Sequence, residues 1–295
     1  MATIARTKLP TSVFGAHLPE HTCLDPNGAA LDPDGLREHL ADTIAILIPA
    51  FNEGETLPEV LPRIPAELLG VPVSVVVVDD GSRDDTAEAA LRGGAIVAQL
   101  HENSGGGAAL KVGYALAVAA GARLVVTMDA DGQHRPEEIG RVVEPLLSGR
   151  AQFAQGSRTL GSAAPGAFAR ELGIAFFNRV VTAATLTTIT DCSNGFRAVE
   201  TDVLPRLDLR EPQFHAAEFL IEAITRGVAY EEVPITVLGR AHGSSKKPPT
   251  LRYGWGFCAA IVHAWRRSVA RRSRERMSLG EGRLIADLVG ARRHR

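Results

Sequence analysis

Asp129 and Asp131 stand one residue apart, and Gln133 continues the spacing. Alternate residues of an extended segment point the same way, so the two carboxylates can face one cation. Hard oxygen ligands suit Mg2+ or Mn2+, and Mg2+ is commonly held by one or two carboxylates plus substrate phosphates. A second acid pair, Asp79-Asp80, follows the four valines Val75–Val78. One acid after a strand is usually a turn or capping residue. Two pairs at the ends of two strands point instead to a shared crevice, because ligands of open α/β sheets bind beyond the carboxyl ends of the strands. His134 could neighbour a metal, but a loop histidine without a partner is more often structural or solvent-exposed.

The elements that must position these acids are legible around them. IAILIPA (44–50) is a short apolar run and predicts a buried strand. NEGETLPEVLPRI (52–64) predicts a helix with Asn52 as N-cap. VPVSVVVVDD (71–80) is the strongest strand pattern, and its unbroken valines favour a parallel sheet covered on both faces. A helix over 84–94, a strand over 95–102, a small-residue helix over 105–121, a strand over 122–132, a helix from Pro136 and a strand over 151–158 follow. This alternation predicts an α/β fold with a mostly parallel central sheet flanked by helices. Beyond it come a helix over 167–187, a turn-like DCSNGFR (191–197), a helix around 214–226 and a strand around 230–238. A polar, basic loop (239–249) leads to a final amphipathic helix. Three parts are expected: an extension over 1–42 without clear period, a catalytic domain over 43–250, and a helical, basic end over 251–295.

Composition narrows the function classes. With 295 residues, 45 % apolar and 22 % charged, the chain is neither wholly disordered nor collagen-like. A net charge of −2 argues against a globally basic nucleic-acid binder. That near-balance hides an asymmetry: Arg266–Arg295 holds ten arginines and three acids, a net of +7, which leaves −9 on the rest. Such a block is a solvated tail or a contact for an anionic surface. The three cysteines form no CxxC pair, which suits a reducing compartment and gives no metal cluster. The first residues lack an apolar leader, and no run of about 18 apolar residues occurs, so a cytoplasmic or membrane-peripheral protein is expected. The chain has no GxxxxGK[ST] and no GxSxG. Gly105-Gly106-Gly107 opens a helix, but Leu110 occupies the third fingerprint position, which speaks against a nicotinamide site.

Seven motifs occur in order: IPAFNE (48–53), VVDDGSRDDT (77–86), ENSGGGAALKVG (102–113), MDADGQHRP (128–136), GSR (156–158), DCSNGFR (191–197) and RAHGSSK (240–246). Together they resemble glycosyltransferase family 2, in particular its polyprenyl-phosphate mannosyl- and glucosyltransferase branch. The resemblance spans about 44–250 and implies a GT-A fold, a nucleotide-sugar donor, a divalent metal and inversion at the anomeric carbon. It implies that Pro49, Ala50, Asn52 and Glu53 contact the nucleotide and that Asp80 contacts the nucleoside. It implies that Asp129, Ala130 and Asp131 meet the donor diphosphate, with Asp129, Asp131 and Gln133 on the metal. By the same likeness Arg158 and Arg170 lie near an acceptor phosphate, and Arg240, Ser245 and Lys246 close over the donor. Glu218 and Asp191 fall in matching segments without a settled role. The chain departs from the pattern at Ile174, where the branch often has Ser, and at Gly106, where a basic residue is usual.

A sugar leaves a nucleoside diphosphate as charge builds on the leaving phosphate, and a metal on Asp129, Asp131 and Gln133 would neutralise that charge. Arg240 and Lys246 would add cationic clamping. A lipid phosphate, with a second ionisation near pH ~6, is already a nucleophile. A hydroxyl acceptor needs a base, for which Asp131 and Asp191 are the candidates. The expected activity is metal-dependent, inverting transfer of a hexose from a GDP-mannose- or UDP-glucose-type donor to a polyprenyl or dolichyl phosphate. Two alternatives stay open: a transferase for a small acceptor, resembling glucosyl-3-phosphoglycerate synthase, and a non-catalytic nucleotide-sugar-binding regulator.

Overall fold

The computed structural model describes residues 18–164, 168–211, 214–239 and 255–274. Its strands are β1 (His21–Leu24), β2 (Ile44–Ala50), β3 (Glu67–Leu68), β4 (Val71–Asp79), β5 (Ile96–Leu100), β6 (Leu124–Thr127), β7 (Phe153–Ala163), β8 (Arg197–Glu200) and β9 (Tyr230–Val237). The helices are α1 (Pro33–Leu40), α2 (Leu57–Val60), α3 (Thr86–Arg92), α4 (Gly106–Ala120), α5 (Ile139–Leu147), α6 (Phe168–Thr185), α7 (His215–Thr225) and α8 (255–274). One sheet runs in the order β1-β5-β4-β2-β6-β8-β7-β9, with β3 hairpinned onto β4. β2, β4, β5, β6, β7 and β9 share one direction, whereas β8 runs against both its neighbours and β1 against β5.

The apolar runs form the middle of this sheet because they are covered twice. In β2, Ala45 and Leu47 enter one core while Ile44, Ile46 and Ile48 enter the other. In β4, Val76 and Val78 face the first core and Val77 the second. Helices α1, α4, α6, α7 and α8 supply the first core, and α2, α3 and α5 the second, giving three layers. The small residues of α4 let it lie close on the sheet. A Cβ at Gly113 would come within 2.9 Å of Leu47 and 3.3 Å of Val78.

The helix expected over 52–64 is shorter than its pattern. Residues 51–56 are turns, α2 has four residues, and a 3-10 turn over Leu61–Arg63 completes it. Asn52 is not its N-cap; that position is Thr56, and Asn52 itself lies in the left-handed region at φ 52°. Part of the amino-terminal stretch is built into the fold, since β1 closes the sheet beyond β5 and α1 packs on α4. Asp32 caps α1 by accepting from the Gly35 amide at 2.8 Å. Burial of Leu36 and Leu40 contributes roughly 1.5–3 kcal/mol each, enough to hold an eight-residue helix that is marginal alone.

Candidate active site

One edge of the sheet collects the motifs. The loops after β2, β4, β5, β6 and β7 leave the carboxyl ends of strands that share a direction. Because β8 is antiparallel, the loop before it, 191–196, arrives at that same edge.

The first two loops brace each other. The Asn52 amide donates to Ser82 Oγ at 2.9 Å, and Asn52 Oδ1 accepts from the Arg83 amide at 2.8 Å. The Glu53 amide donates to Thr86 Oγ1 at 2.9 Å and the Gly54 amide to Asp84 at 3.1 Å. Pro49 and Ala50 pair with Val78 and Asp79 across the β2/β4 ladder. The Ala50 side chain points into the core and its carbonyl accepts from the Asp80 amide at 2.8 Å.

Asp80 is buried, and its carboxylate accepts from the Ser104 amide at 2.7 Å and the Gly105 amide at 2.9 Å. Burial pushes its pKa up, against the lowering effect of those two amides. It therefore anchors the glycine-rich turn from the position just after β4. Gly81, at φ 70°, is required here, because a Cβ would stand 2.7 Å from the Glu102 carbonyl carbon. Asp79 accepts from the Ser82 amide at 3.0 Å and from Gln99 at 3.3 Å.

Asp129 and Asp131 follow β6. Asp129 is half-buried, lying against Gly195, where a Cβ would be 3.0 Å from its Oδ1. Ala130 turns its side chain into the core. Asp131 Oδ1 accepts from the Gln133 amide at 3.1 Å. The Gln133 side chain donates to the Leu238 carbonyl at 3.0 Å, which ties this loop to the end of β9. His134 Nδ1 accepts from the Asp129 amide at 3.3 Å, and its ring stacks on the core residue Phe196 at 5.1 Å, so this histidine is a packed support. Among the described residues no three His, Cys, Asp or Glu side chains converge as a cage. Two carboxylates with a neighbouring amide nevertheless fit a hard divalent cation whose remaining ligands are phosphate oxygens.

Arg158, at the end of the buried half of β7, is gripped by Asp191. Its Nε donates to Asp191 Oδ2 at 2.7 Å and its Nη2 to Oδ1 at 2.9 Å and to Ser193 Oγ at 2.9 Å. Burial lowers the guanidinium pKa, but the Asp191 hydrogen bonds and charge outweigh it and the net shift is upward. Asp191 also accepts from the Arg158 amide at 3.1 Å and from Asn194 at 3.2 Å, and it is fully buried. These bonds occupy both carboxylate oxygens of Asp191 and hold the Arg158 guanidinium in place. The grip is itself supported by Glu232 of β9, whose carboxylate accepts from the Thr190 amide at 3.0 Å and the Asp191 amide at 3.1 Å. Ser193 lies inside the DCSNGFR motif, which gave it no role, and Glu232 lies in none of the motifs. The signal for Glu232 was an acid in the middle of a strand pattern, which demands a partner.

Arg170 is within α6, with its side chain outside the described residues, as are Arg240, Ser245 and Lys246. Glu218 of α7 is fully buried. It accepts from the Arg210 and Glu211 amides at 3.0 and 2.9 Å and from Arg267 of α8, and burial raises its pKa.

A family model described as Glycosyl transferase family 2 matches residues 45–207. Polyprenol monophosphomannose synthase of Mycolicibacterium smegmatis is 34 % identical, over 74 % of this chain and 85 % of its own length. Undecaprenyl-phosphate mannosyltransferase of Micrococcus luteus is 32 % identical over 69 % of this chain and 86 % of its own. Among solved structures, a complex of glucosyl-3-phosphoglycerate synthase from Mycobacterium tuberculosis with Mn2+ and UDP-glucose is similar with a TM-score of 0.58. It is 26 % identical and covers 79 % of this chain and 83 % of that one.

Proposed function

The chain belongs to glycosyl transferase family 2, and within that family we propose that it moves a hexose from a nucleotide sugar to a polyprenyl phosphate. It is a glycosyltransferase of GT-A type. The observation that carries the acceptor reading is the pairing of opposite charges at one sheet edge. The Asp129/Asp131 loop ends β6, and the fixed guanidinium of Arg158 ends the inner part of β7, near enough for Asp129 to act on its charge. An acid side suits a metal-bound diphosphate, and a clamped arginine suits a second phosphate. The two relatives named for polyprenyl- or undecaprenyl-phosphate chemistry support the same reading.

In this scheme Asp129, Asp131 and Gln133 hold Mg2+ or Mn2+, which neutralises charge on the leaving diphosphate. The loop of Pro49, Ala50, Asn52 and Glu53 and the turn held by Asp80 form the nucleotide floor, largely through backbone, since Ala50 and Ala130 commit their side chains to the core. Arg158 uses Nε and Nη2 on Asp191 and Ser193, and Nη1 takes no part in those bonds. We assign Nη1, with Arg170, to the acceptor phosphate, and Arg240, Ser245 and Lys246 to the donor phosphates. A phosphate acceptor arrives charged and needs no base, which agrees with Asp191 being fully engaged.

The test is transfer from labelled GDP-mannose and UDP-glucose, with Mg2+ or Mn2+, to short-chain polyprenyl phosphate. Label extracted with the lipid is the expected result. Transfer to 3-phosphoglycerate and none to lipid phosphate overturns the acceptor and favours the small-acceptor reading that the solved neighbour suggests.

A further inference from the structure

The protein has two tryptophans, and both are on the outside of α8. Trp255 is 77 % exposed and Trp265 42 %. In a chain with only 5 % aromatic residues, large rings are expected to serve the core. The pattern of α8 explains why these do not. Phe257, Ile261 and Ala264 face inward and fill the first core, and Ser268 is buried as well. Trp255, Val262, Trp265 and Val269 repeat at helical spacing on a different face and stand exposed. A helix apolar on two faces lies between a core and a second apolar medium.

The charges on α8 divide the same way. Arg267 and Arg271 turn inward to the buried carboxylates of Glu218 and Glu222. Arg266 and Arg274 remain exposed, and Arg266 sits one helical turn from Val262. Neighbouring α6 adds Phe176, 55 % exposed, and the exposed Arg179. Exposed tryptophan interleaved with arginine is the composition of a helix lying in a bilayer interface.

The surface also connects to the site. Phe177 of α6 meets Phe257 of α8 with ring centroids 4.6 Å apart. Asn178, the next residue, accepts from the Cys192 amide at 2.9 Å and donates to the Thr190 carbonyl, holding the turn whose Asp191 grips Arg158. We infer that the outer face of α8, with Phe176 of α6, docks the enzyme on an anionic lipid bilayer. The inference deepens the acceptor reading, because a polyprenyl phosphate is presented in a bilayer, and it names the face that meets that bilayer.

Intrinsic fluorescence reads it directly, since both emitters are on the face. Adding vesicles of mixed phosphatidylglycerol and phosphatidylcholine is expected to shift emission to the blue and shield it from acrylamide. Phosphatidylcholine vesicles alone should do so weakly. Arg266→Glu should weaken vesicle binding roughly 30-fold at low salt. Trp255→Ser with Trp265→Ser should abolish co-sedimentation while the rate on dispersed farnesyl phosphate stays unchanged. Unmoved emission with the anionic vesicles overturns the inference. So does emission that shifts with protein concentration in the absence of lipid, which would make the face a contact between two copies of the chain. Vesicle binding by a protein that transfers nothing to any polyprenyl phosphate would uphold the surface and sink the acceptor reading.

Discussion

Arg158 on Asp191 and Arg271 on Glu222 are nearly the same object by burial. The carboxylates are 0 % exposed in both pairs, and the arginine side chains 17 % and 18 %. Their surroundings differ. Arg158 ends the buried half of β7 at the carboxyl edge of the sheet, where the Asp129 charge acts on it. Arg271 crosses from α8 to α7, where Glu222 also accepts from Arg226 at 2.8 Å, with Glu218 and Arg267 one turn away repeating the arrangement. In the first pair the carboxylate exists to fix the arginine. In the second the arginines exist to make buried carboxylates tolerable between two helices. Burial and pairing therefore do not separate a working charge from a structural one; position relative to the strand ends does.

The two regions should come apart by measurement. Asp131→Ala, on the catalytic edge, is expected to lower metal-dependent transfer by ~1000-fold, since it removes charge compensation for the leaving group. Its melting temperature should stay close to that of the parent. Retained turnover would move the metal elsewhere. Arg271→Ala, in the helix seam, is expected to do the reverse. It leaves Glu222 buried with one arginine fewer and should cost about 2–3 kcal/mol of stability, read by denaturant unfolding. Turnover of a dispersed acceptor below the melting transition should be unaffected. A third substitution sharpens the role given to Asp191. Asp191→Asn keeps the shape and removes the charge, so Arg158 should swing out of register and kcat fall by ~30-fold with donor KM unchanged. Combined with Arg158→Lys, the losses should be clearly less than additive, because both changes break one bidentate contact. Additive losses would mean the two residues act independently.

Most of the sheet was legible because its strands are buried on both faces and so read as unbroken apolar runs, such as Val75–Val78 in β4. β8 was not, for a physical reason. It has four residues and opens on Arg197, which is fully buried yet carries no apolar signal. Its guanidinium donates to the carbonyls of Asn194 and Ala216 and lies 5.2 Å from the Phe219 ring, partners that no local pattern announces. The site divides likewise. The acids could be found because they follow strands. The Asp191–Arg158 grip joins residues 33 apart and requires knowing that β8 is reversed. The ten arginines of the carboxyl end read as one block, but among the described residues Arg267 and Arg271 go inward while Arg266 and Arg274 stay outside.

The smallest expected effect tests the seam from its other side. Lys111 of α4 is buried, and its Nζ donates to the Arg210 carbonyl at 3.4 Å, close to the backbone that Glu218 holds. Burial lowers its pKa, and the nearby Glu218 and Glu211 charges only partly restore it. A base with a lowered folded pKa binds its proton more weakly in the native state than in the unfolded chain. In the window between the lowered value and 10.5 the unfolded state therefore holds more protons, and stability rises with pH through it. Lys111→Met keeps the length and removes the charge, so it should abolish that rise and leave the neutral-pH stability equal or slightly higher. An unchanged slope would mean that the Glu218 and Glu211 charges fully compensate the buried ammonium. Lys111 would then belong with the arginines of α8 as a true partner of the seam carboxylates rather than a cation held there by packing.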